Sequence, residues 1–532
     1  MQPVLVLNAK TSREEGRKAQ LSNIVAAKAV SNIIRTSLGP RAMLKMVLNP
    51  MGGIIVTNDG NSILREIDVS HPAAKNMLEL SRSQSEEVGD GTTSVIILTG
   101  ELLSVAEPFI RTNIHPRTIV QAYYKALDDS LEISKELTRT VDIKQKSEIM
   151  KIIHNSVGTK FMSKFGENLF DMAYDAVKIV DIEVEGHREI DIKRYVRIEK
   201  IPGGEIEDSY LLWGTMLNKD VLHPKMKRRI ENPRIILLDV GLEYNKLESQ
   251  TDVEIKQNQD YETMLRMEEE YIEDMVEKIV KFKPDLVITE KGCSDYAQHH
   301  LLKHNITALR RLKKSDSNRI ARSVGAKIVS NVDLIKESDV GLKCGLFEVR
   351  KIGDEYFAFM DKCKEPQACT LLLRGPNKDI INEIERNVNE AMKAVRNILL
   401  EPRVLPGGGA FEMTLSQVLN EKSKTIPGKL QLPYQAVSVA LEVIPRTLIQ
   451  NCGANTVRVL TELRAKHANG KNQNWGIEGE LGIIKEMNPE NGVWDPYAVK
   501  IQTLKTAIES ACMLLKIDEI VSGIGSKENQ KN

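Results

Sequence analysis

The apolar residues of this chain change their spacing twice, and that change most constrains the fold. Residues 21–38 carry apolar side chains at positions 21, 24, 25, 29, 30, 33, 34 and 38, which is helical spacing, and Gly39-Pro40 ends the pattern. Residues 92–110, 116–137, 433–450 and 496–516 repeat it. Between about 212 and 373, short β-rich runs replace it. The sequence therefore predicts mostly helical ends and a mixed middle.

The β-rich runs of the middle lie at 234–240, 285–289, 327–330 and 370–373 and alternate with helix-like segments, as in an α/β layer. One stretch interrupts this alternation. Residues 247–259 are polar and aperiodic, and residues 260–282 then form an amphipathic pattern capped by Asp260. The pattern favours a surface helix packed on its own domain; a helix that projects from the domain is the alternative.

A second long amphipathic helix is predicted at 379–400, after a Gly-Pro turn and before Pro402. Its place behind the α/β layer suggests a lever or hinge that returns to the helical part. Glu390 falls on its polar face with Asn387 and Asn397, so periodicity alone predicts a solvated side chain.

Length and charge exclude several classes of protein. At roughly 150 residues per domain, 532 residues predict three or four domains. Basic and acidic residues number 74 each, so no net charge attracts nucleic acid or membrane, and the basic cluster at 310–314 lacks interleaved aromatics. No apolar run approaches the roughly 18 residues that span a bilayer, and residues 1–8 lack signal-peptide features. We expect a cytoplasmic protein that binds neither nucleic acid nor membrane.

The six cysteines include no C-x-x-C pair, which argues against a zinc site or a disulfide scaffold. Cys363 and Cys369 flank a proline turn between strand-like runs at 356–359 and 370–373. A hairpin there would bring the two sulfur atoms together. Whether they bond stays open, because a reducing cytosol opposes a disulfide.

The sharpest local signal is Val-Gly-Asp-Gly-Thr-Thr-Ser at 88–94, which opens an apolar helix. Glycines let backbone N–H groups approach an anion, and a helix N-terminus favours negative charge. The hydroxyls of Thr92, Thr93 and Ser94 suit phosphate oxygens, whereas Asp90 would repel phosphate unless Mg²⁺ lay between them. The alternative is a glycine turn with a threonine cap.

The other candidate site residues lie in local patterns that are typical of turns and helix ends. The segment Leu38-Gly39-Pro40 is typical of the end of a helix, and the segment 405–410 is typical of the start of one. Asp59 suits a turn of the Asx type, and Asp495-Pro496 suits a helix cap followed by proline at the first helical position. Lys160 in the segment 156–160 has no local pattern that distinguishes it from a solvated lysine.

Taken together, these segments resemble the type II chaperonins, and in particular their eukaryotic cytosolic form, TRiC or CCT. The matching motifs, in order along nearly the whole chain, are Leu-Gly-Pro at 38–40, Thr-Asn-Asp-Gly at 57–60, Gly-Asp-Gly-Thr-Thr at 89–93, Gly-Gly-Gly at 407–409 and Trp-Asp-Pro at 494–496. Residues 65–68, 71–75 and 444–451 resemble the cytosolic form. Residues 248–252, 318–322 and the Cys363/Cys369 pair favour one of its paralogous subunits.

The resemblance implies the group II chaperonin fold, an α/β multidomain fold. A helical equatorial ATPase domain would comprise residues 1–146 and 404–532, and a small α/β intermediate domain 147–212 and 371–403. The α/β apical domain would comprise 213–370, with a helical protrusion at about 247–282 that forms a built-in lid. Periodicity alone predicts that this helix packs on the surface of its own domain. For the tip of the helix, the resemblance predicts instead that it projects from the domain.

The resemblance to the type II chaperonins also implies a nucleotide site for ATP and Mg²⁺. Asp90 would bind the metal ion. The residues that would contact the nucleotide are Leu38, Gly39, Pro40, Gly91, Thr92, Thr93, Ser94, Thr159, Lys160, Gly408, Gly479, Glu480, Asp495 and Lys500.

Asp59 and Glu390 would be the catalytic residues. The family has aspartate before Ala-Met on the intermediate-domain helix, whereas this chain has Glu390 before Ala391-Met392. One additional methylene displaces the carboxylate by about an ångström, which can cost on the order of a hundredfold in rate.

The implied function is that of a subunit in an ATP-driven hetero-oligomeric double ring, with eight paralogous subunits per ring, that encloses non-native proteins such as actin and tubulin. Strands near 4–7 and 518–521 and the hairpin near 52–58 would pair with neighbouring subunits. Three alternatives remain: an ATP-binding subunit with mainly structural and substrate contacts, a stand-alone phosphotransferase, and a nucleic-acid binder.

Overall fold

The computed structural model describes residues 12–48, 52–158, 168–244, 258–468, 473–489 and 492–522. The chain divides into two compact units. Unit 1 comprises residues 1–170 and 386–532, and unit 2 comprises residues 171–385. The two ends of the chain therefore build one unit around an insertion.

The described helices of unit 1 come from both sides of this insertion. The N-terminal side supplies α1 (Gly16–Ile34), α2 (Gly60–Glu66), α3 (Pro72–Glu87), α4 (Thr92–Arg111), α5 (Pro116–Glu136) and α6 (Lys146–Val157). Helix α7 (Asn168–Val180) leads into unit 2, with α8 (Ile192–Tyr195), α9 (Asn258–Val280), α10 (Asp295–Lys303) and α11 (Lys314–Val324). Helix α12 (Lys378–Leu400) leads back to α13 (Ala410–Ser423), α14 (Gln431–Leu441), α15 (Val443–Asn451), α16 (Thr456–His467) and α17 (Tyr497–Leu515).

The strands are short in unit 1 and build the core of unit 2. They are β1 (Ser12–Glu15), β2 (Lys45–Leu48), β3 (Ile54–Thr57), β4 (Arg139–Thr140), β5 (Ile182–Val184), β6 (His187–Glu189), β7 (Val196–Pro202), β8 (Tyr210–Leu212), β9 (Thr215–Leu217), β10 (Arg229–Glu231), β11 (Ile235–Leu238), β12 (Leu286–Thr289), β13 (Thr307–Leu309), β14 (Ile328–Val329), β15 (Leu346–Ile352), β16 (Glu355–Asp361), β17 (Cys369–Gly375), β18 (Arg403–Pro406), β19 (Trp475–Glu478), β20 (Ile483–Glu486), β21 (Trp494–Pro496) and β22 (Glu519–Ser522).

Helix α4 is the centre of unit 1. It packs against α1, α3, α14 and α17, and residues such as Val95, Ile96 and Leu102 are fully buried. Among the described residues it is the one helix whose length and composition would suit a membrane span. The prediction that no apolar stretch approaches that length is therefore wrong for α4, because most of this helix is buried in the core of unit 1 and has the apolar composition of a core helix.

Unit 2 contains the predicted α/β layer. Strands β13, β12, β11 and β14 form a parallel sheet in that order, and helices α9, α10 and α11 belong to the same layer. The strands predicted at 234–240, 285–289 and 327–330 are confirmed as β11, β12 and β14. Strand β13 was not predicted, because its three residues are too few to show a period.

Unit 2 also contains two larger sheets and the two-stranded hairpin of β5 and β6. One has the antiparallel order β10, β15, β16, β9, and the other the order β7, β17, β8. Because β16 and β17 belong to different sheets, the predicted hairpin between them is wrong. The Cys369 thiol points instead to the carbonyl of Ala176 at 3.7 Å, and all six cysteines are free.

The described part of the predicted amphipathic segment is α9, and its two halves differ. Ile272, Val276 and Ile279 in the second half are buried and pack with α10. Met264 and Met267 in the first half are exposed. The helix is therefore a packed surface helix over its second half only. Residues 245–257 lie outside the described residues.

Strands β2 and β3 form a hairpin at the surface of unit 1. Met46, Leu48, Ile54 and Val56 on it are 45–73% exposed. The C-terminal strand β22 pairs antiparallel with β1 of the same chain. The N-terminal strand expected near 4–7 lies outside the described residues.

Candidate functional site

A cavity of about 390 Å³ opens within unit 1, in the size range of small-ligand sites. It is lined by segments from both sides of the insertion. The predicted site residues along its wall are Leu38, Gly39, Pro40, Asp90, Gly91, Ser94, Gly408, Gly479, Glu480, Asp495 and Lys500. The structure thus brings together residues that are more than 400 positions apart in the sequence.

The N-terminus of α4 forms one wall of the cavity. Gly91 precedes the helix with φ of 76°, a left-handed conformation that glycine adopts without strain. The first amides of a helix have no partner inside the helix, and the helix dipole adds partial positive charge there. This end of α4 can therefore bind an anion.

Asp90 lies beside that helix end. Its Oδ1 accepts a hydrogen bond from the Gly91 amide at 2.6 Å, and its Oδ2 accepts one from the Ser156 hydroxyl at 2.6 Å. Each carboxylate oxygen keeps a second lone pair, so the side chain can also bind a cation. Ser156 was missed by the sequence analysis, since a serine near the end of an ordinary helix carries no distinguishing pattern.

The segment 89–91, which precedes α4, is held in place by Gln84, which fixes the backbone of Asp90. The Gln84 amide donates to the Asp90 carbonyl and to the Thr503 hydroxyl, both at 3.0 Å, and the residue is fully buried. A Cβ on Gly91 would lie 2.7 Å from the Thr503 hydroxyl, which leaves room for glycine only. Helices α3 and α17 therefore hold the loop from behind.

Asp59 contacts the same helix end from α2. Its Oδ2 accepts from the Ser62 amide at 2.9 Å as the N-cap of α2, which confirms the Asx-type role expected locally. Its Oδ1 accepts from the Thr92 hydroxyl at 3.3 Å. Thr92 and Thr93 are buried and do not line the cavity. Asp59 therefore has a structural role and also contacts the anion-binding end of α4.

A charged triad of Lys500, Glu412 and Asp495 also lines the cavity. The Lys500 ammonium donates to Glu412 Oε1 at 2.8 Å and lies 3.0 Å from Asp495 Oδ2. Burial alone would lower the pKa of Lys500, but the two carboxylates raise that pKa above its ordinary value. Glu412 Oε2 is buried without a hydrogen-bond partner in the described part of the protein, so it can accept one from a ligand.

The predicted cap at Asp495 is wrong. Helix α17 begins at Tyr497 with Pro496 as its N-cap, and Asp495 belongs to strand β21. Pairing of β21 with β18 and the contact with Lys500 direct the carboxylate toward the cavity instead.

Three glycines bring backbone close to the cavity. Gly408 has φ of 61°, and a Cβ there would lie 2.7 Å from the Ile477 carbonyl oxygen. A Cβ on Gly39 would lie 2.6 Å from Leu448, and one on Gly479 would lie 2.4 Å from Pro40. These close approaches shape a narrow cleft that larger residues would fill.

Glu390 does not line the cavity. It is half-buried on α12. One turn later on the same helix, Lys393 donates a hydrogen bond to the Ser85 carbonyl. Two turns later, Asn397 donates one to the Val88 carbonyl at 2.8 Å. Asn397 is buried. The prediction of a solvated face is therefore wrong, because this face of α12 packs on the segment that leads to Asp90. Thr159 and Lys160 lie outside the described residues.

The residues around the cavity fit a magnesium–nucleotide complex. No group of three or more histidine, cysteine, aspartate or glutamate side chains forms a metal site in the described ranges. Mg²⁺ is usually held by one or two carboxylates together with phosphate oxygens and water, for which Asp90 suffices. The helix end suits phosphates, and the unpartnered oxygen of Glu412 suits a sugar hydroxyl or an amine.

The chain belongs to the TCP-1/cpn60 chaperonin family, whose signature matches residues 30–524. The fold is the multidomain chaperonin fold, and the protein is a chaperonin subunit. Members of this family are generally nucleotide-binding ATPases.

Among individual proteins, the chain is similar to T-complex protein 1 subunit gamma from several organisms. It is 58% identical to the Xenopus laevis protein over 521 residues, 98% of this chain and 95% of the relative. It is 57% identical to the Homo sapiens protein over 530 residues, 100% and 97% of the two chains. It is 56% identical to the Thalassiosira weissflogii protein over 99% of each chain. The gamma subunit is also the paralogue that the stretches at 248–252, 318–322 and Cys363/Cys369 favour, so that identification is confirmed.

Proposed function

We propose that this subunit binds ATP with Mg²⁺ in the cavity of unit 1 and hydrolyses it to drive the folding of non-native proteins. One observation carries the proposal: the amino end of α4 faces a glycine-lined cleft, with Asp90 at its edge. Phosphates would contact the α4 amides, and adenosine would lie near Gly408, Gly479 and Asp495.

A bound Mg²⁺ would neutralise phosphate charge and polarise the terminal phosphorus toward attack. Asp90 would hold the ion, and the hydrogen bond from Ser156 would fix the orientation of the Asp90 carboxylate. Because Gln84 and Thr503 fix the backbone beneath Asp90, we infer that the carboxylate is oriented before the ligand arrives.

Asp59 and Glu390 would orient the attacking water. Asp59 supports this role by its contact with Thr92 at the phosphate end of the cleft. Glu390 shares a helix face with Lys393 and Asn397, which contact the segment before Asp90. Movement of α12 would therefore bring Glu390 toward the phosphates and couple hydrolysis to closure of the lid.

Nucleotide binding is tested by titrating the full-length protein with a fluorescent ATP analogue in the presence of Mg²⁺. We expect Gly408→Val to abolish binding, because its side chain would meet the Ile477 carbonyl and fill the cleft. Gly428→Val is the matched control, since Gly428 also has a positive φ but has open space around it. Equal affinity in wild type and Gly408→Val would contradict the assignment of the site.

Hydrolysis is tested by single-turnover measurements on Glu390→Asp and Asp59→Ala. We expect Asp59→Ala to slow turnover and Glu390→Asp to raise it by up to about a hundredfold, because the shorter side chain restores the reach of the family's aspartate. Unchanged rates in both variants would remove these residues from catalysis. If the wild-type protein binds ATP without measurable turnover, the second candidate function holds, namely a nucleotide-binding subunit with mainly structural and substrate contacts. The observation that supports this second function is Glu390 in place of the family's aspartate.

We further propose assembly into a cytoplasmic hetero-oligomeric double ring with eight paralogous subunits per ring and clients such as actin and tubulin. The proposed domain map assigns residues 1–146 and 404–532 to the equatorial domain, 147–212 and 371–403 to the intermediate domain, and 213–370 to the apical domain. The names of the relatives support assembly with other subunits. Negative-stain images of the native particle test this proposal, and a monomeric ATPase without rings would contradict it.

A further inference from the structure

Two cysteines that take no part in the nucleotide site lie together inside unit 2. Cys344 and Cys363 are 1% and 5% exposed. They lie just beyond the paired strands β15 and β16, where Leu346 faces Asp361. Continuing that register by two residues places Cys344 opposite Cys363. The paired strands end at Leu346 and Asp361 and Lys362 has φ of 53°, but the hydrogen bond from the Lys364 amide to the Lys343 carbonyl at 2.8 Å shows that the two segments stay adjacent beyond the cysteines.

The backbone between these two cysteines has the geometry that a disulfide needs. The Cys363 amide points away from Cys344 and donates to the Trp213 carbonyl at 3.1 Å. In an antiparallel pair, facing residues whose amides point outward have Cα atoms about 4.5 Å apart, which is the spacing to expect where two such segments stay adjacent. Disulfides span Cα separations of roughly 4.4–6.8 Å. The adjacency of the two segments therefore places the two cysteines in the range of separations that a disulfide can span.

The two thiols already interact. Interaction with the Cys363 thiol lowers the pKa of Cys344, and the same interaction, together with burial, raises the pKa of Cys363. The Cys344 thiol also points to the Leu346 carbonyl at 3.5 Å and the Cys363 thiol to the Met360 carbonyl at 3.9 Å. Cys344 is therefore the thiol that loses its proton first, and the thiolate is the reactive form of cysteine. Cys369 differs from both, because its sulfur points to the Ala176 carbonyl at 3.7 Å and burial alone raises the pKa of its thiol.

We propose that Cys344 and Cys363 form a dithiol site that hydrogen peroxide converts to a disulfide. The Cys344 thiolate attacks one peroxide oxygen, which gives a sulfenic acid and hydroxide. The Cys363 sulfur then displaces the sulfenic hydroxyl, which leaves as water once the thiol proton is transferred. Two thiols and one peroxide thus become one disulfide and two waters. Peroxide is small and uncharged, so it reaches the thiols through local opening of the strand ends.

The test is a cross-link map of the full-length protein. The protein is treated with hydrogen peroxide, its remaining thiols are alkylated in denaturant, and peptides are identified by mass spectrometry without reduction. We expect a Cys344–Cys363 cross-link that a reductant removes. It should persist in Cys369→Ser, the matched control, and disappear in Cys344→Ala.

Two results would overturn the proposal. One is a cross-link between Cys363 and Cys369 in place of the expected one. The other is full alkylation of Cys344 and Cys363 at a peroxide dose that oxidises the partly exposed Cys452. Both are read from the wild-type protein, so neither depends on whether a variant folds. Neither depends on the nucleotide site.

Discussion

Lys500 lies between Glu412 and Asp495, so its charge affects stability as well as ligand binding. The Lys500 side chain is 14% exposed and those of Glu412 and Asp495 are 10% and 24% exposed. A largely buried charge is tolerated because its partners compensate it, and removing one partner leaves the others uncompensated.

We therefore predict that Lys500→Met lowers the free energy of unfolding by about 3–5 kcal/mol, because two carboxylates lose their shared partner. The double variant Lys500→Met with Glu412→Leu should recover part of this loss. Urea denaturation of the three proteins measures both effects. A double variant that is less stable than Lys500→Met alone would contradict the compensation argument.

His467 gives a pH dependence that can be predicted in sign. The imidazole is 3% exposed, its Nε2 lies 2.8 Å from the Trp475 carbonyl, and burial lowers its pKa. The unfolded chain has a histidine pKa near 6.5 and therefore binds the proton more readily than the folded protein. Stability is fully present above about pH 6.5 and falls as the pH decreases below it.

The measurement compares unfolding midpoints between pH 7.5 and 5.5 in wild type and His467→Gln. The decrease should be smaller in the variant, since glutamine keeps a donor toward Trp475 without titrating. His187→Gln is the control, because His187 is exposed on β6. Identical pH profiles in wild type and His467→Gln would contradict the prediction.

Residues of the cavity wall were predicted unevenly from the sequence. Glycine motifs and Asp90 have a recognisable pattern, whereas Glu412, Ser156 and Gln84 lie inside helices where a polar residue is ordinary. Their roles arise from contacts such as Gln84 with Thr503, 419 positions apart. No local periodicity contains such information, and only the packing of α3 against α17 reveals it.

At the scale of elements, α15 ends against the loop at 38–40 and holds it. The Asn451 side-chain amide donates to the Leu38 carbonyl at 2.8 Å and to the Arg35 carbonyl at 3.0 Å. The loop lines the cavity on its other side. Asn451 thus acts on the proposed nucleotide site through the backbone that it positions.

We predict that Asn451→Ala costs about 1–3 kcal/mol of stability, from two lost hydrogen bonds, and weakens ATP binding several-fold. Asn455→Ala is the control, because Asn455 caps α16 by accepting from the Arg458 amide and its loss costs about 1 kcal/mol. Nucleotide titration and urea denaturation of both variants separate the two effects. An equal change in ATP affinity in both would indicate general destabilisation.

The elements themselves were predicted where their period is long. The five helices expected from apolar spacing are present as α1, α4, α5, α14 with α15, and α17. Which strands pair was not predictable at the 363–369 turn, because the segment is too short to show that β16 and β17 belong to different sheets. The polar face of α12 was misjudged for a related reason: Asn397 satisfies its amide with a carbonyl 309 positions away.

At the scale of the whole molecule, the hairpin of β2 and β3 is an exposed apolar edge. Met46 is 73% exposed and Val56 45%, and neighbouring exposed apolar side chains of this kind often mark an interaction surface. Within the described ranges, β2 and β3 pair only with each other, and a strand edge beside exposed apolar side chains is a template for another chain. The hairpin thus supports the proposed ring contact.

We predict that Met46→Lys reduces incorporation into large particles and leaves the unfolding midpoint of the isolated subunit nearly unchanged. Val457→Lys is the control, because Val457 is 78% exposed on α16, away from the hairpin. Sedimentation velocity at physiological ionic strength measures the fraction in particles. Equal fractions for both variants would exclude the hairpin as a contact.

The insertion of unit 2 between the two halves of unit 1 also determines the order in which the chain matures during translation. Helix α4 is synthesised early, but α17, which covers it, ends only at Leu515. At 5–20 residues per second, the ribosome needs roughly 20–80 s to make the intervening chain. Throughout that interval α1 and α3 can cover α4, but the apolar face that packs on α17 stays uncovered, so the nascent chain exposes an apolar surface until its last helix has been made.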